Sequence, residues 1–211
     1  MRHIVLALAA ITCAAAATAE VSRTLDYTQD AKGITEVVIH AGVGEIEVVS
    51  DSGSQITARV EIKAKHFGFF SRHSDPEIEK LKIEAEISSG RLTLQLKPET
   101  HDDRGFSESW TVRFPASLAA TLKLGVGDVK VLDLASDVEV ELGVGDVSVE
   151  GQYASFGSVH ANCGVGDVTM RTPDGRDEGE GFIAHTLSAK GPGKASIRAS
   201  AGVGDVKIRL R

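Results

Sequence analysis

The residues best suited to chemistry lie in one phrase, Gly-Val-Gly-Asp-Val, which recurs along the chain. Full copies begin at Gly125, Gly143, Gly164 and Gly202, and a variant, Gly-Val-Gly-Glu-Ile, begins at Gly42. Glycines beside a carboxylate are typical of phosphate-binding loops and of cation sites. However, the phrase lacks the lysine that reaches a phosphate, and it lacks the Gly-Gly-x-Gly-x-Asp spacing of calcium-binding repeats. We therefore interpret it first as a structural element.

The spacing of the copies predicts stacked repeats. Successive full copies start 18, 21 and 38 residues apart (125 to 143 to 164 to 202), and a period near 20 residues is typical of a solenoid. The last interval predicts a degenerate copy within residues 182–193. Because apolar residues alternate on both sides of each phrase, we expect strands there. The predicted fold is all-β, a β-solenoid that is right-handed by preference, with about 20 residues per coil and an N-terminal hairpin insertion.

Each phrase is predicted to be the corner between two strands. Glycine adopts backbone angles that a Cβ forbids, which lets the chain turn within three residues. The valine between the two glycines is expected to point inward. The predicted corner residues are Gly42, Gly44, Gly125, Gly127, Asp128, Gly143, Gly145, Asp146, Gly164, Gly166, Asp167, Gly202, Gly204 and Asp205.

In-register stacking would align the aspartates in a column at the strand separation of about 4.8 Å. Neighbouring carboxylates would then repel by about 0.9 kcal/mol even in bulk water. Two solutions are open: each carboxylate accepts a hydrogen bond from a backbone N–H, or a bound Ca²⁺ neutralises the column. We favour the first, and we predict neither a metal site nor a cofactor.

The first residues resemble an export signal. Arg2 and His3 precede an apolar run from Ile4 to Ala16, and Ala17-Thr18-Ala19 is a small-x-small cleavage site. We expect residues 1–19 to be a signal peptide and residues 20–211 to form one β-solenoid domain, with the repeats strongest at 117–211. The mature protein would then lie in the periplasm or at the cell surface. No later stretch is apolar enough to span a membrane.

The formal net charge is −7. This acidity argues against nucleic acid and against anionic lipid as partners. Cleavage would leave one cysteine, Cys163, which takes the place of small apolar residues in the other copies. A buried hydrophobe is the favoured interpretation, because no base adjoins it as a nucleophile would need.

Two irregular segments could make contacts of their own. Phe67, Phe69 and Phe70 lie in an insertion at residues 65–79. These aromatic residues could cap an open end of the solenoid or contact a partner or lipid. The loop around His101, Asp102 and Asp103 could ligate a metal, but charged loops are usually only solvated.

Three features together resemble the bacterial putative-adhesin family, a domain of unknown function with repeated Gly-Asp-Val phrases. A strand pair surrounds Gly42–Ile46, a strand ending in proline runs from Trp110 to Pro115, and the phrases then continue to residue 206. The resemblance covers about residues 30–211, apart from the aromatic insertion. It implies a single-stranded β-helix exported to the envelope or surface, and it brings no catalytic residues.

The expected function is that of an exported, non-enzymatic envelope protein that binds or scaffolds in the manner of an adhesin. One alternative is a β-helical protein that binds or degrades polysaccharide, which a groove lined with Arg or Lys and exposed aromatic residues would favour. Another is an accessory protein in envelope stress or signalling. The expected partner is an envelope protein or glycan, with self-association through the solenoid ends or edges.

Overall fold

The computed structural model describes residues 22–64, 78–97, 105–179 and 184–211. The predicted signal peptide, the three phenylalanines of the insertion (Phe67, Phe69, Phe70) and the loop residues His101, Asp102 and Asp103 lie outside these ranges. Within them the chain forms fifteen strands and two single 3-10 turns, at Ile78–Lys80 and Tyr153–Ser155. The predicted all-β class is therefore confirmed. The described residues contain no helix with the length and hydropathy needed to cross a membrane.

Most strands follow the segments of alternating hydrophobicity, because one face is buried and the other is solvated. The short strand Gly175–Glu178 is instead exposed along its whole length. In chain order the strands are β1 Ser22–Asp30, β2 Glu36–Asp51, β3 Gln55–Ala64, β4 Lys82–Ser88, β5 Arg91–Lys97, β6 Phe106–Pro115, β7 Ala119–Leu134, β8 Val138–Val144, β9 Val147–Gly151, β10 Phe156–Val165, β11 Val168–Thr172, β12 Gly175–Glu178, β13 His185–Lys190, β14 Ala195–Val203 and β15 Val206–Leu210.

Each glycine-containing corner divides the chain into a first leg that precedes it and a second leg that follows it. Parallel pairing joins the first legs in the order β5-β2-β7-β8-β14-β10, and it joins the second legs in the order β6-β2-β7-β9-β15-β11. Antiparallel strands flank both series: β4 and β13 on the first legs, and β3 with β1, and β12, on the second. Strands β4 and β5 form a hairpin around Gly90. Because the fifteen-stranded sheet is mixed, a single-stranded β-helix is not confirmed.

The glycine-containing corners do not stack in the order of the sequence. Strands β14 and β15 carry the corner at residues 202–206, and they lie between β8–β9 and β10–β11. The corner at residues 202–206 thus follows the corner at residues 164–168 in the sequence but comes before it in the stack. The prediction of a degenerate copy within residues 182–193 is wrong. Residues 185–190 instead form the edge strand β13, antiparallel to β10.

The inward faces of both legs belong to one apolar cluster. Its largest fully buried side chains include Trp110, Phe114 and Phe156. Cys163 is buried, as expected, and its thiol donates a hydrogen bond to the carbonyl oxygen of Gly204 at 2.8 Å. The core lies behind the corners and holds them in register.

Candidate binding surface

Five corners stack in register in a single column. Their acidic positions follow the spatial order Glu45, Asp128, Asp146, Asp205 and Asp167, as fixed by the pairing of the flanking strands. The structure thereby brings all the predicted corner residues together in one column.

The glycines are required because the corners pack backbone against backbone. Gly127 has a φ of +133°, and a Cβ there would lie 1.7 Å from the carbonyl oxygen of Gly44. A Cβ on Gly125 would lie 2.5 Å from the carbonyl oxygen of Gly42. The same contacts recur at the next three corners of the stack, at Gly143, Gly145, Gly202, Gly204, Gly164 and Gly166. No other residue type fits either position without separating the strands.

The valine between the two glycines points outward, which corrects the sequence prediction. Leu124 and Val129 are both buried although they are five positions apart, whereas regular alternation would place inward residues an even number of positions apart. The residues between them therefore bulge away from the core. Five valines consequently form an exposed column, with 36% to 55% of each residue accessible. We call it the valine ridge; in stack order it comprises Val43, Val126, Val144, Val203 and Val165.

A hydrogen-bonded ladder of aspartates runs beside the valine ridge. The backbone N–H of Asp146 donates to Oδ1 of Asp128 at 3.2 Å, that of Asp205 to Oδ1 of Asp146 at 2.9 Å, and that of Asp167 to Oδ1 of Asp205 at 3.1 Å. The ammonium of Lys207 lies 3.1 Å from Oδ2 of Asp205 and 3.8 Å from Oδ2 of Asp146. Backbone N–H donation, together with the Lys207 ammonium, therefore offsets the repulsion between stacked carboxylates. Across the described ranges, no cluster of three or more His, Cys, Asp or Glu side chains is arranged to hold a metal ion.

A buried glutamate closes one end of the corner stack. Strand β6 has no glycine corner, and the side chain of Glu108 folds back into the space that a further corner would fill. Its Oε1 accepts the N–H of Gly42 at 2.6 Å, and its Oε2 accepts the indole N–H of Trp110 at 2.8 Å. Only 4% of Glu108 is exposed. This burial raises the pKa of its carboxyl group above the ordinary value, although the two hydrogen bonds oppose the shift.

A histidine covers the opposite end. His185 on the edge strand β13 pairs with Cys163, and its Nδ1 lies 2.5 Å from the carbonyl oxygen of Gly166. The same nitrogen is 3.6 Å from Oδ1 of Asp167, the last carboxylate of the ladder. Both ends of the stack are thus closed by polar side chains. Neither Glu108 nor His185 was predicted from the sequence to belong to the corner stack.

The ladder should make stability sensitive to acid. The N–H of Asp167 and then the ammonium of Lys207 hold the pKa of Asp205 below its ordinary value. A lowered folded-state pKa stabilises the fold above the unfolded-state value, and this contribution disappears as the pH falls through the folded-state pKa. We expect Asp205→Asn to lower the free energy of unfolding at neutral pH by about 0.5 kcal/mol, as for exposed pairs, and to have little effect once Asp205 is protonated. Denaturant melts across the acid range, with the exposed Asp177→Asn as control, measure this difference. Parallel pH profiles for wild type and Asp205→Asn would contradict it.

Comparisons with known proteins found one matching family model and several similar solved structures. A family model described as the N-terminal domain of toast_rack, DUF2154, matches residues 16–171. The chain is similar to the solved structure of a putative cell adhesion protein from Clostridium sporogenes ATCC 15579, with a TM-score of 0.53 and 16% identity over 90% of this chain and 100% of that chain. A putative adhesin from Bacteroides fragilis NCTC 9343 aligns over 88% of this chain and 97% of that chain, with 10% identity and a TM-score of 0.30. The similarity to the Clostridium sporogenes structure supports the fold alone. No curated protein matches the sequence.

Proposed function

The chain belongs to the family of the toast_rack N-terminal domain, DUF2154, and on that premise we propose that it is an exported, non-enzymatic binding or scaffold protein of the cell envelope with an adhesin-like role. In this proposal the coils that share Gly-Asp-Val corners form a short β-solenoid, and the antiparallel strands close its ends. The similar solved structure from Clostridium sporogenes is named a putative cell adhesion protein, and that name agrees with such a role.

The observation that carries the proposal is the valine ridge. Five of the six exposed large hydrophobic residues in the described part of the chain belong to it, and the sixth is Ile87. Four strand separations give the ridge a length of about 19 Å. Exposed apolar residues on a soluble surface are usually scattered singly, and a continuous row is typical of an interaction site.

The charges beside the ridge indicate what kind of partner it fits. The aspartate ladder and Glu45 follow the valines two residues further along each coil, so the apolar row has an acidic border. Neither Glu45 nor Asp128 forms an ion pair with another described residue. A protein segment with an apolar stripe flanked by Lys or Arg is complementary to this surface.

Substituting the centre of the ridge tests the proposal. We expect the triple variant Val126→Ser, Val144→Ser and Val203→Ser to bind immobilised envelope preparations at least tenfold more weakly than wild type, because burying one valine contributes about 1.5 kcal/mol. Its thermal unfolding should stay close to that of wild type, since these side chains are exposed.

The matched control is Ile87→Ser, which removes an equally exposed apolar side chain away from the ridge and should bind as wild type does. If the triple variant binds the envelope preparations as strongly as wild type does, the proposed role of the valine ridge is contradicted. Hydrolysis of any glycan on an array by the wild-type protein would contradict the non-enzymatic part of the proposal.

A further inference from the structure

We propose that a row of three arginines on the outer face of the second legs binds the carboxylate or phosphate groups of an acidic envelope polymer. The row comprises Arg176 on β12, Arg171 on β11 and Arg209 on β15. It is separate from the valine ridge, and it gives the protein a second binding surface of a different chemistry.

Strand register places the three guanidinium groups side by side. Arg171 is the direct partner of Arg176 in the antiparallel pair and of Arg209 in the parallel pair. Neighbouring strands are about 4.8 Å apart, and all three side chains are exposed on one face. Like charges directly opposite one another on a sheet are unfavourable, so this arrangement favours a bound anion between them.

The existing ion pairs leave the row able to bind. Arg209 contacts Glu150 at 2.9 Å and Arg176 contacts Glu178 at 3.0 Å, but both pairs are partly or largely exposed and therefore weak. Arg171, at the centre, forms no ion pair with any residue in the described ranges. An incoming oxyanion would meet an unpaired guanidinium flanked by two others that can exchange partners.

The row lies in a shallow groove of about 310 Å³. Its lining also includes the hydroxyl groups of Ser148 and Thr169 and the ammonium of Lys207, all of which can donate hydrogen bonds. The groove reaches Asp205 and Asp167 at its corner side, but Asp205 is already paired with Lys207 at 3.1 Å. Anions would therefore bind at the end of the groove away from the corners.

The chemistry of arginine selects the ligand class. The planar guanidinium group forms two parallel hydrogen bonds with a carboxylate or a phosphate, which an ammonium group does not. The row runs across the strands, so an extended polymer that carries repeated anions could contact all three arginines in turn. Since the whole chain carries a formal charge of −7, the attraction is local to the row and should weaken as salt is added.

Titration calorimetry of the full chain tests the proposal with polygalacturonate as the carboxylate probe and inorganic polyphosphate as the phosphate probe. At low ionic strength we expect saturable binding of at least one probe, and the probe that binds identifies the oxyanion. The double variant Arg171→Ala and Arg176→Ala should bind at least tenfold more weakly, and added salt should weaken wild-type binding.

Arg198→Ala is the matched control, because Arg198 is an exposed arginine on a first leg, and it should bind as wild type does. The triple valine variant should also bind normally, which separates this proposal from the function of the ridge. Absence of binding by both probes would overturn the proposal, and so would an equal loss in the Arg198→Ala variant.

Discussion

Gly127→Ala is expected to prevent the chain from folding. The new Cβ would lie 1.7 Å from the carbonyl oxygen of Gly44, and the φ of +133° at this position is strained for any L side chain. The close contact and the strained φ both involve the backbone, so no change of side-chain rotamer relieves either of them. Separating the strands would break the long parallel ladder between β2 and β7. We expect a loss of more than about 4 kcal/mol in the free energy of unfolding, which is exceptional for one substitution, seen as insoluble or unfolded protein by circular dichroism.

Gly33→Ala is the matched control for this effect. Gly33 also has a positive φ, +81°, but a Cβ there would meet no atom within 4 Å. It should therefore cost only the intrinsic penalty of a left-handed conformation, about 1 kcal/mol. If the two variants unfold at the same denaturant concentration, close packing of the corners does not determine stability.

Glu108→Ala is expected to lower the free energy of unfolding by about 3 kcal/mol or more. The substitution leaves the N–H of Gly42 and the indole N–H of Trp110 without their acceptor in a buried site, and each unsatisfied donor costs about 1–3 kcal/mol. Glu108→Gln keeps the shape and one acceptor oxygen, so it should lose less. Chemical denaturation of both variants measures the difference. A Glu108→Ala variant as stable as wild type would show that the end of the stack needs no cap.

The same residue predicts a pH dependence of the opposite sign to that of Asp205. Burial raises the pKa of Glu108 in the folded state above 4.5, the ordinary value. The folded state then holds this proton more tightly than the unfolded state does. Stability contributed by Glu108 is therefore greatest below the ordinary pKa and falls as the pH rises through the raised pKa. Glu108→Gln should remove this fall. Denaturant melts from about pH 4 to pH 8 measure it, and an unchanged profile in Glu108→Gln would contradict it.

The corners and strands could be predicted from the sequence because local sterics and alternation determine them. Gly127 and the aspartates occupy the positions that the phrase implies. The direction of Val126 was predicted wrongly, because four residues, an even number, lie between the inward positions Leu124 and Val129. Such a spacing produces a bulge that period-two counting does not represent.

The order in which the corners stack could not be predicted from the local sequence pattern. The phrases at Gly143, Gly164 and Gly202 are alike in type, so each could pair with either of the others. Contacts that depend on this order were missed as well: the arginine row exists only because β11 lies beside β15. Glu108 offered one signal, since it occupies an inward position of the strand that carries Trp110 and Phe114.

The position of β14 and β15 in the stack, out of sequence order, constrains how the molecule can fold during synthesis. Strands β14 and β15 are made after β10 and β11, yet they lie inside them in the stack. The stack of corners therefore cannot grow one unit at a time in the order of translation, as simple repeat proteins can. Residues 156–172 must wait, with their inward side chains uncovered, until residues 195–210 are available. We expect one slow, all-or-none folding step dominated by long-range pairing, and exposure to aggregation until it is complete.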